Sequence, residues 1–157
     1  MRILFMGTPE FAVPALEALV HSEHEVVGVV TAPDRPAGRG KKLTSSAVKR
    51  YAESQQLAIY HPERLKEEGF VEAMRALQPD LAVVIAFRML PQVVWDAPEF
   101  GTINLHASLL PQLRGAAPIQ WAIIHGLAES GVSTFSLQHA IDTGDVLLQE
   151  RVAIKQA

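Results

Sequence analysis

Six consecutive apolar residues, Leu81-Ala82-Val83-Val84-Ile85-Ala86, constrain this chain more than any other stretch. Successive side chains of a strand point to opposite faces, so an unbroken apolar run fits a strand only where both faces of the sheet are covered. Parallel strands joined by crossover helices supply that cover. Ile3-Leu4-Phe5-Met6 is a second such run. Gly7-Thr8-Pro9 follows it, and then Phe11, Ala12, Ala15, Leu16, Leu19 and Val20 recur at helical spacing. Thr8 is the expected N-cap, with Pro9 at the first helical position and Glu10 in the first turn. Residues 25–31 (Glu-Val-Val-Gly-Val-Val-Thr) read as the next strand. Strand, helix, strand over about thirty residues predicts a βαβ unit with a right-handed crossover.

The same alternation continues. Residues 45–56 predict a helix with Ala47, Val48, Tyr51 and Ala52 on one face, and 58–60 a short strand. Residues 63–77 predict an amphipathic helix whose stripe is Leu65, Phe70, Val71, Met74 and Leu77, ended by Pro79-Asp80. A short helix is expected over 92–96 and a strand over 101–106. A helix follows over 116–125, with Ile119, Ala122 and Ile123 inward and Trp121 either in the core, the preferred reading, or at a partner contact. Val132, Thr134 and Ser136 alternate with Ser133, Phe135 and Leu137, which marks a strand over 131–138. A last strand over 145–154 pairs with it as a hairpin or neighbour. The expected fold is α/β, a Rossmann-like, mostly parallel twisted sheet flanked by helices, with the last strands partly antiparallel. The first turn carries one glycine where a dinucleotide fingerprint needs three, so a simple NAD site is disfavoured. No helix follows the last strand to cover it. Residues 1–157 are therefore expected to form one domain truncated at its C-terminal end, a fragment or an unusually short version of a larger protein.

Charge and composition narrow the partners. The 157-residue chain has a net charge of −3, which gives no global reason to bind nucleic acid. It has no cysteine, hence no disulfide framework and no thiolate metal site. That fits a reducing compartment. No secretory signal and no apolar window of transmembrane length is visible, so a cytoplasmic protein with no membrane partner is expected. One local exception stands out. Between Ala32 and Leu43, Arg35, Arg39, Lys41 and Lys42 face only Asp34, in a stretch rich in Gly and Pro with no apolar period. It is expected to be an irregular loop. Such a charge run is ordinarily a solvated surface; here it also makes a local phosphate-seeking patch on an acidic chain.

The chemistry concentrates later. In Thr102-Ile103-Asn104-Leu105-His106 polar and apolar residues alternate, so a strand places Asn104 and His106 on one face. A carboxamide and an imidazole side by side can stabilise a developing oxyanion. Asp142, in Ile141-Asp142-Thr143-Gly144-Asp145, can orient the imidazole and hold it charged if its loop returns to the same place. The plain alternative is a sheet-end pair with ordinary hydrogen bonds. No serine or cysteine is paired with a base in these motifs, which speaks against a covalent intermediate.

Five segments in order resemble the N-terminal catalytic domain of the methionyl-tRNA formyltransferase family. They are Phe5-Met6-Gly7-Thr8-Pro9-Glu10-Phe11, the stretch from Pro33 to Leu43, Asn104-Leu105-His106-Ala107-Ser108-Leu109-Leu110-Pro111, Arg114-Gly115-Ala116-Ala117-Pro118-Ile119, and Asp142-Thr143-Gly144-Asp145. The resemblance implies a formyltransferase fold, formyltetrahydrofolate as formyl donor, no metal, and the initiator methionyl-tRNA as acceptor. It implies that Asn104, His106 and Asp142 are catalytic. Folate contacts fall on Ser108, Leu109, Leu110 and Pro111. They also fall on Ala86, Phe87, Arg88, Met89, Leu90 and Pro91, a loop that holds the pterin ring through backbone groups. Contacts to tRNA fall on Arg35, Arg39, Lys41 and Lys42, Arg39 foremost. Many members have Tyr-Gly where this chain has Phe87-Arg88. The family's C-terminal tRNA-binding barrel lies outside these residues, and a full-length monomer is expected. Two alternatives remain: a formyltransferase for an amino sugar nucleotide or glycinamide ribonucleotide, and a non-catalytic folate- or nucleotide-binding module. The basic stretch favours tRNA over a small acceptor.

Overall fold

The computed structural model describes residues 1–138 and 144–155. In chain order the strands are β1 (Arg2–Gly7), β2 (Glu25–Val30), β3 (Arg35–Ala37), β4 (Lys42–Thr44), β5 (Ile59–Tyr60), β6 (Leu81–Ile85), β7 (Thr102–His106), β8 (Glu129–Ser136) and β9 (Val146–Ala153). The helices are α1 (Val13–Val20), α2 (Ala47–Ser54), α3 (Glu68–Ala76), α4 (Gln92–Trp95) and α5 (Pro118–Ile124). The main sheet runs β5-β2-β1-β6-β7-β8-β9, and β3 with β4 forms a separate ribbon. The chain divides into two compact units, Met1–Thr102 and Ile103–Ala157.

In the first unit β1 pairs in parallel with β2 and with β6, and β2 with β5. Ile3, Leu4, Phe5 and Met6 of β1 and Ala82, Val83, Val84 and Ile85 of β6 are all buried, as two continuous apolar runs require. Strand order reverses between β1 and β6, so the carboxyl ends of these strands flank the crevice where open α/β sheets hold ligands. Gly7 closes β1 there. A Cβ on it would lie 2.9 Å from the Ala12 Cβ and 2.9 Å from the Ile85 carbonyl oxygen. Only glycine lets the following turn come this close.

The first helix departs from expectation. Pro9 is extended and the Thr8 side chain makes no cap here; a 3₁₀ turn over Glu10–Ala12 precedes α1. Pro14 explains this. It has no N–H for a bond to Glu10, so a continuous helix from residue 9 would be broken there, whereas the first turn of a helix that starts at Val13 tolerates it. Ala12 and Leu16 are buried, but Phe11 is 41% exposed.

The α3 helix begins at Glu68 rather than 63. The Pro62 and Glu63 carbonyls, which would open a longer helix, accept from the Arg88 guanidinium at 2.8 and 3.0 Å. Leu65 is buried from a turn instead, one closed by Glu67 N–H donating to the Arg64 carbonyl.

The basic stretch is not an irregular loop. Antiparallel β3 and β4 pair Arg35 with Thr44 and Ala37 with Lys42, joined by a turn with positive φ at Gly38, Gly40 and Lys41. A two-residue periodicity of only three residues per strand, all exposed, leaves no apolar signature in the sequence. Lys49 donates to Asp34 Oδ2 at 2.8 Å at the foot of the ribbon, and Ser46 caps α2 by accepting from Lys49 N–H.

In the second unit β8 pairs antiparallel with β7 and with β9. Gly131, Ser133 and Phe135 are buried while Val132, Thr134 and Ser136 are half-buried, the alternation expected of β8. Strand β9 is exposed at every residue. The α5 helix corrects an expectation: Ala122 is buried, but Ile119, Trp121 and Ile123 are 44%, 48% and 62% exposed. Trp121 stacks on His125 with ring centroids 5.6 Å apart instead of entering a core. Helical spacing says which residues share a face, not which face is covered. Among the described residues no helix is long and apolar enough to cross a membrane.

Candidate active site

Asn104 and His106 stand on β7, two residues apart and therefore on one face. Their register partners on β8 are Phe135 and Ser133. Asn104 is half-buried and His106 is 9% exposed. The His106 Nε2 lies 2.8 Å from the Leu113 carbonyl oxygen. A carbonyl only accepts, so this nitrogen carries the proton. Leu113 has φ 54, a left-handed conformation that costs a non-glycine residue about 1 kcal/mol or more. That backbone state aims its carbonyl at the ring.

The segment between them is a tightly bonded turn. Ser108 is fully buried, and its hydroxyl donates to the Gln112 carbonyl at 2.7 Å. Its side chain thus shapes the turn. Leu109 is half-buried and its carbonyl accepts from Gln112 N–H at 3.1 Å. Leu110 is buried and joined to Pro111, an exposed residue, by a cis peptide. The Leu110 N–H donates to Ser133 Oγ at 3.1 Å, and Ser133 Oγ donates to the Ser108 carbonyl at 2.6 Å. Gln149 Nε2, from β9, donates to the Leu110 carbonyl at 2.8 Å and to Ser133 Oγ at 2.9 Å. Leu113, Ser133 and Gln149 were not singled out by sequence. Ser133 is one more inward position of an alternating strand, and a backbone carbonyl leaves no mark on residue type.

Asp142 lies outside the described residues. Its flanks are described. Ser136 N–H donates to the Asp145 carbonyl at 3.1 Å. A Cβ on Gly144 would fall 1.6 Å from the Ser136 carbonyl oxygen, so only glycine fits this hairpin base.

The remaining expected residues belong to the first unit. Ala86, with φ 47, ends the run begun by β6, and the chain leaves the carboxyl end of that strand through Phe87, Arg88, Met89, Leu90 and Pro91. Leu90 is buried and Met89 is 75% exposed. Arg88 turns back: besides its two bonds to the 62–63 carbonyls, its guanidinium lies 5.3 Å from the Phe87 ring centroid, a cation–π distance. The Phe87-Arg88 pair therefore clamps the loop to its own unit. On the ribbon Arg39, Lys41 and Lys42 are exposed, and Arg35 pairs with Glu63 at 3.1 Å in the open. Hydrogen bonding to Lys49 holds the Asp34 carboxyl below the ordinary aspartate range, against the opposing effect of burial. The same bond raises Lys49. Among the described residues no cluster of three His, Asp or Glu could hold a metal ion.

Comparison with known proteins bears on the chain as a whole. The model of the formyl transferase family matches residues 1–157. The methionyl-tRNA formyltransferase of Bacteroides thetaiotaomicron is 60% identical over 154 residues, 98% of this chain and 48% of that protein. That of Flavobacterium johnsoniae is 54% identical over 157 residues, 100% of this chain and 50% of that protein. The chain thus spans about half the length of the curated relatives it matches. Among solved structures, phosphoribosylglycinamide formyltransferase from Bacillus halodurans aligns with TM-score 0.80 at 20% identity, covering 99% of this chain and 81% of that one. A formyltetrahydrofolate deformylase from Pseudomonas syringae pv. tomato aligns at 0.74 and 21% identity, covering 98% of this chain and 51% of that one. At such identities these two share the fold.

Proposed function

The chain belongs to the formyl transferase family, and from that premise we infer that it is the formyl-transferring part of a methionyl-tRNA formyltransferase. The observation that carries the reading is the pairing of Asn104 with a His106 of fixed tautomer on one strand face. Formyltetrahydrofolate supplies the one-carbon unit. The α-amine of methionyl-tRNA attacks the formyl carbon, the carbonyl oxygen gains charge, and the Asn104 amide and His106 donate to it. Because Nε2–H is directed at Leu113, the donor toward the oxyanion is Nδ1–H and the ring acts as imidazolium. The amine gives up a proton through water, the folate nitrogen takes one up, and collapse of the tetrahedral intermediate breaks its bond to the formyl carbon and releases it as a neutral amine.

The charge of Asp142 favours the imidazolium, both N–H groups of which already have acceptors. Chain reach permits this role. Asp145 is tied to Ser136, which stands opposite Ile103, and His106 is three residues along β7, about 10 Å. Three peptide links from Asp145 to Asp142 span up to about 10 Å, and the carboxylate adds to that.

The loop 86–91 and the 108–111 turn receive the folate, and the cations of the β3–β4 ribbon receive tRNA phosphates. Residues 1–157 form a catalytic domain that a further tRNA-binding domain completes, and the whole acts as a cytoplasmic monomer. The exposed ribbon favours tRNA over a small acceptor, which needs no basic arm. The test replaces Asn104, His106 and Asp142 singly by Ala in the intact protein, with folding checked by circular dichroism. Each loses about a hundredfold or more in turnover. Near-normal turnover in all three removes the assignment, and a direct comparison of formyl acceptors decides between tRNA and small amines.

A further inference from the structure

We propose that Ser133 and Gln149 are positioning residues for His106, acting through the 108–113 turn; the proposal rests on the catalytic reading of His106. Ser133 is fully buried, and its hydroxyl uses its whole capacity: it accepts from Leu110 N–H and Gln149 Nε2 and donates to the Ser108 carbonyl. Gln149 spends its amide on the same turn, reaching both the Leu110 carbonyl and Ser133 Oγ. Ser108 in turn ties Gln112 through its carbonyl, and Leu113 is the next residue. The consequence is a continuous path from β8 and β9, through Ser108 and Gln112, to the carbonyl that accepts from His106 Nε2.

The geometry gives each part a purpose. Ser133 is the register partner of His106, so one strand position backs the ring and the same residue's hydroxyl fixes the turn that faces it. Leu113 sits in a left-handed backbone that leucine does not prefer. Something must hold it there, and the turn is pinned at Ser108 and Leu110 by side chains from two strands. Without Ser133 the Leu110 N–H and the Ser108 carbonyl lose a partner in a buried place, and the turn relaxes to regain them. The Leu113 carbonyl then leaves its place, and the ring loses the acceptor that fixes its orientation when charged and selects its Nε2–H tautomer when neutral.

Two variants of the intact protein test this: Ser133→Ala, and Gln149→Met, which keeps the side-chain length at a more exposed position and removes the carboxamide. Long-range ¹H–¹⁵N spectra of His106, at a pH where the ring is neutral, report the tautomer directly. The native protein shows Nε2–H, and both variants show a mixture. In kinetics both lose about tenfold in kcat, the scale of a small misplacement of a reacting group. KM for the acceptor stays within about twofold, because neither variant touches an acceptor contact, while KM for the folate donor rises, because the loosened turn is the one that receives it. If Ser133→Ala fails to fold, Gln149→Met decides alone. Unchanged tautomer signals, or unchanged kcat while His106→Ala is inactive, overturn the proposal. An active His106→Ala with a shifted tautomer would instead overturn the catalytic role and leave the path to the ring standing.

Discussion

Replacing Gly131 by Ala should damage the second unit far more than its one added methyl suggests. A Cβ there would lie 2.2 Å from the Glu150 carbonyl oxygen and 2.6 Å from Leu109 Cδ2. Ordinary contacts between such atoms begin about 1 Å further out. Leu109 can rotate, but the Glu150 oxygen belongs to the backbone of β9, where Gly131 pairs with Arg151 and Val132 with Glu150. The strands must part locally or the bulk must be absorbed as strain. Overpacking costs about 1–3 kcal/mol, and each broken ladder bond adds about 1 kcal/mol net. We therefore expect a loss of about 3 kcal/mol, a large share of the roughly 5–15 kcal/mol that holds a typical domain together. For a domain of this size that is a drop in Tm of roughly 6–12 °C. Gly69→Ala is the matched control, because nothing lies within 4 Å of its added Cβ. In an exposed turn of α3 it should stabilise by about 0.5–1 kcal/mol. Urea and thermal unfolding followed by circular dichroism measure both. A Gly131→Ala protein within about 0.5 kcal/mol of the parent, the usual range of neutral surface changes, would refute the close packing of β8 on β9.

Three further expectations concern the first unit. The Asp34–Lys49 pair should anchor the ribbon only between two pH limits. Asp34 is depressed, so its contribution is present above the ordinary aspartate range and is lost as pH falls through the depressed value. Lys49 is raised, so its contribution is present below the ordinary lysine range and is lost as pH rises through the raised value. Amide exchange in β3 and β4 measures this, and Asp34→Asn should abolish the acid limb. Removing Arg39, Lys41 and Lys42 singly should weaken tRNA binding and lower its log–log salt slope by about 0.7–0.9 for each phosphate left without its cation; an unchanged slope in all three would take the ribbon out of the interface. Arg88→Leu should speed amide exchange across 86–91, because the loop loses two charge-assisted bonds of about 1.5–3 kcal/mol each at most; protection as in the parent would show that the clamp holds nothing.

Much of the fold was legible because it rests on local periodicity. The runs at 3–6 and 81–86 name strands covered on both faces whatever else the chain does, and alternation at 131–136 names a strand buried on one face. One error was local, the missing N–H of Pro14; the others fell where long-range contacts outweigh local preference. Pro14 moved the start of α1, the Arg88 bonds took the carbonyls that would have lengthened α3, and backbone pairing organised the basic stretch with no side-chain pattern to announce it. The inward assignment of Ile119, Trp121 and Ile123 failed because periodicity carries no information about what lies opposite.

For the site, residue spacing alone put Asn104 and His106 on one face of a strand, since a two-residue step allows nothing else. What needed tertiary structure was the setting of the ring: a left-handed Leu113, a hydroxyl from β8 and an amide from β9 converge on one turn from positions up to 39 residues away in the chain. Hydrogen bonds of this kind are made by backbone atoms and common polar side chains. Their partners are fixed by where strands meet, which no local pattern of residue types encodes.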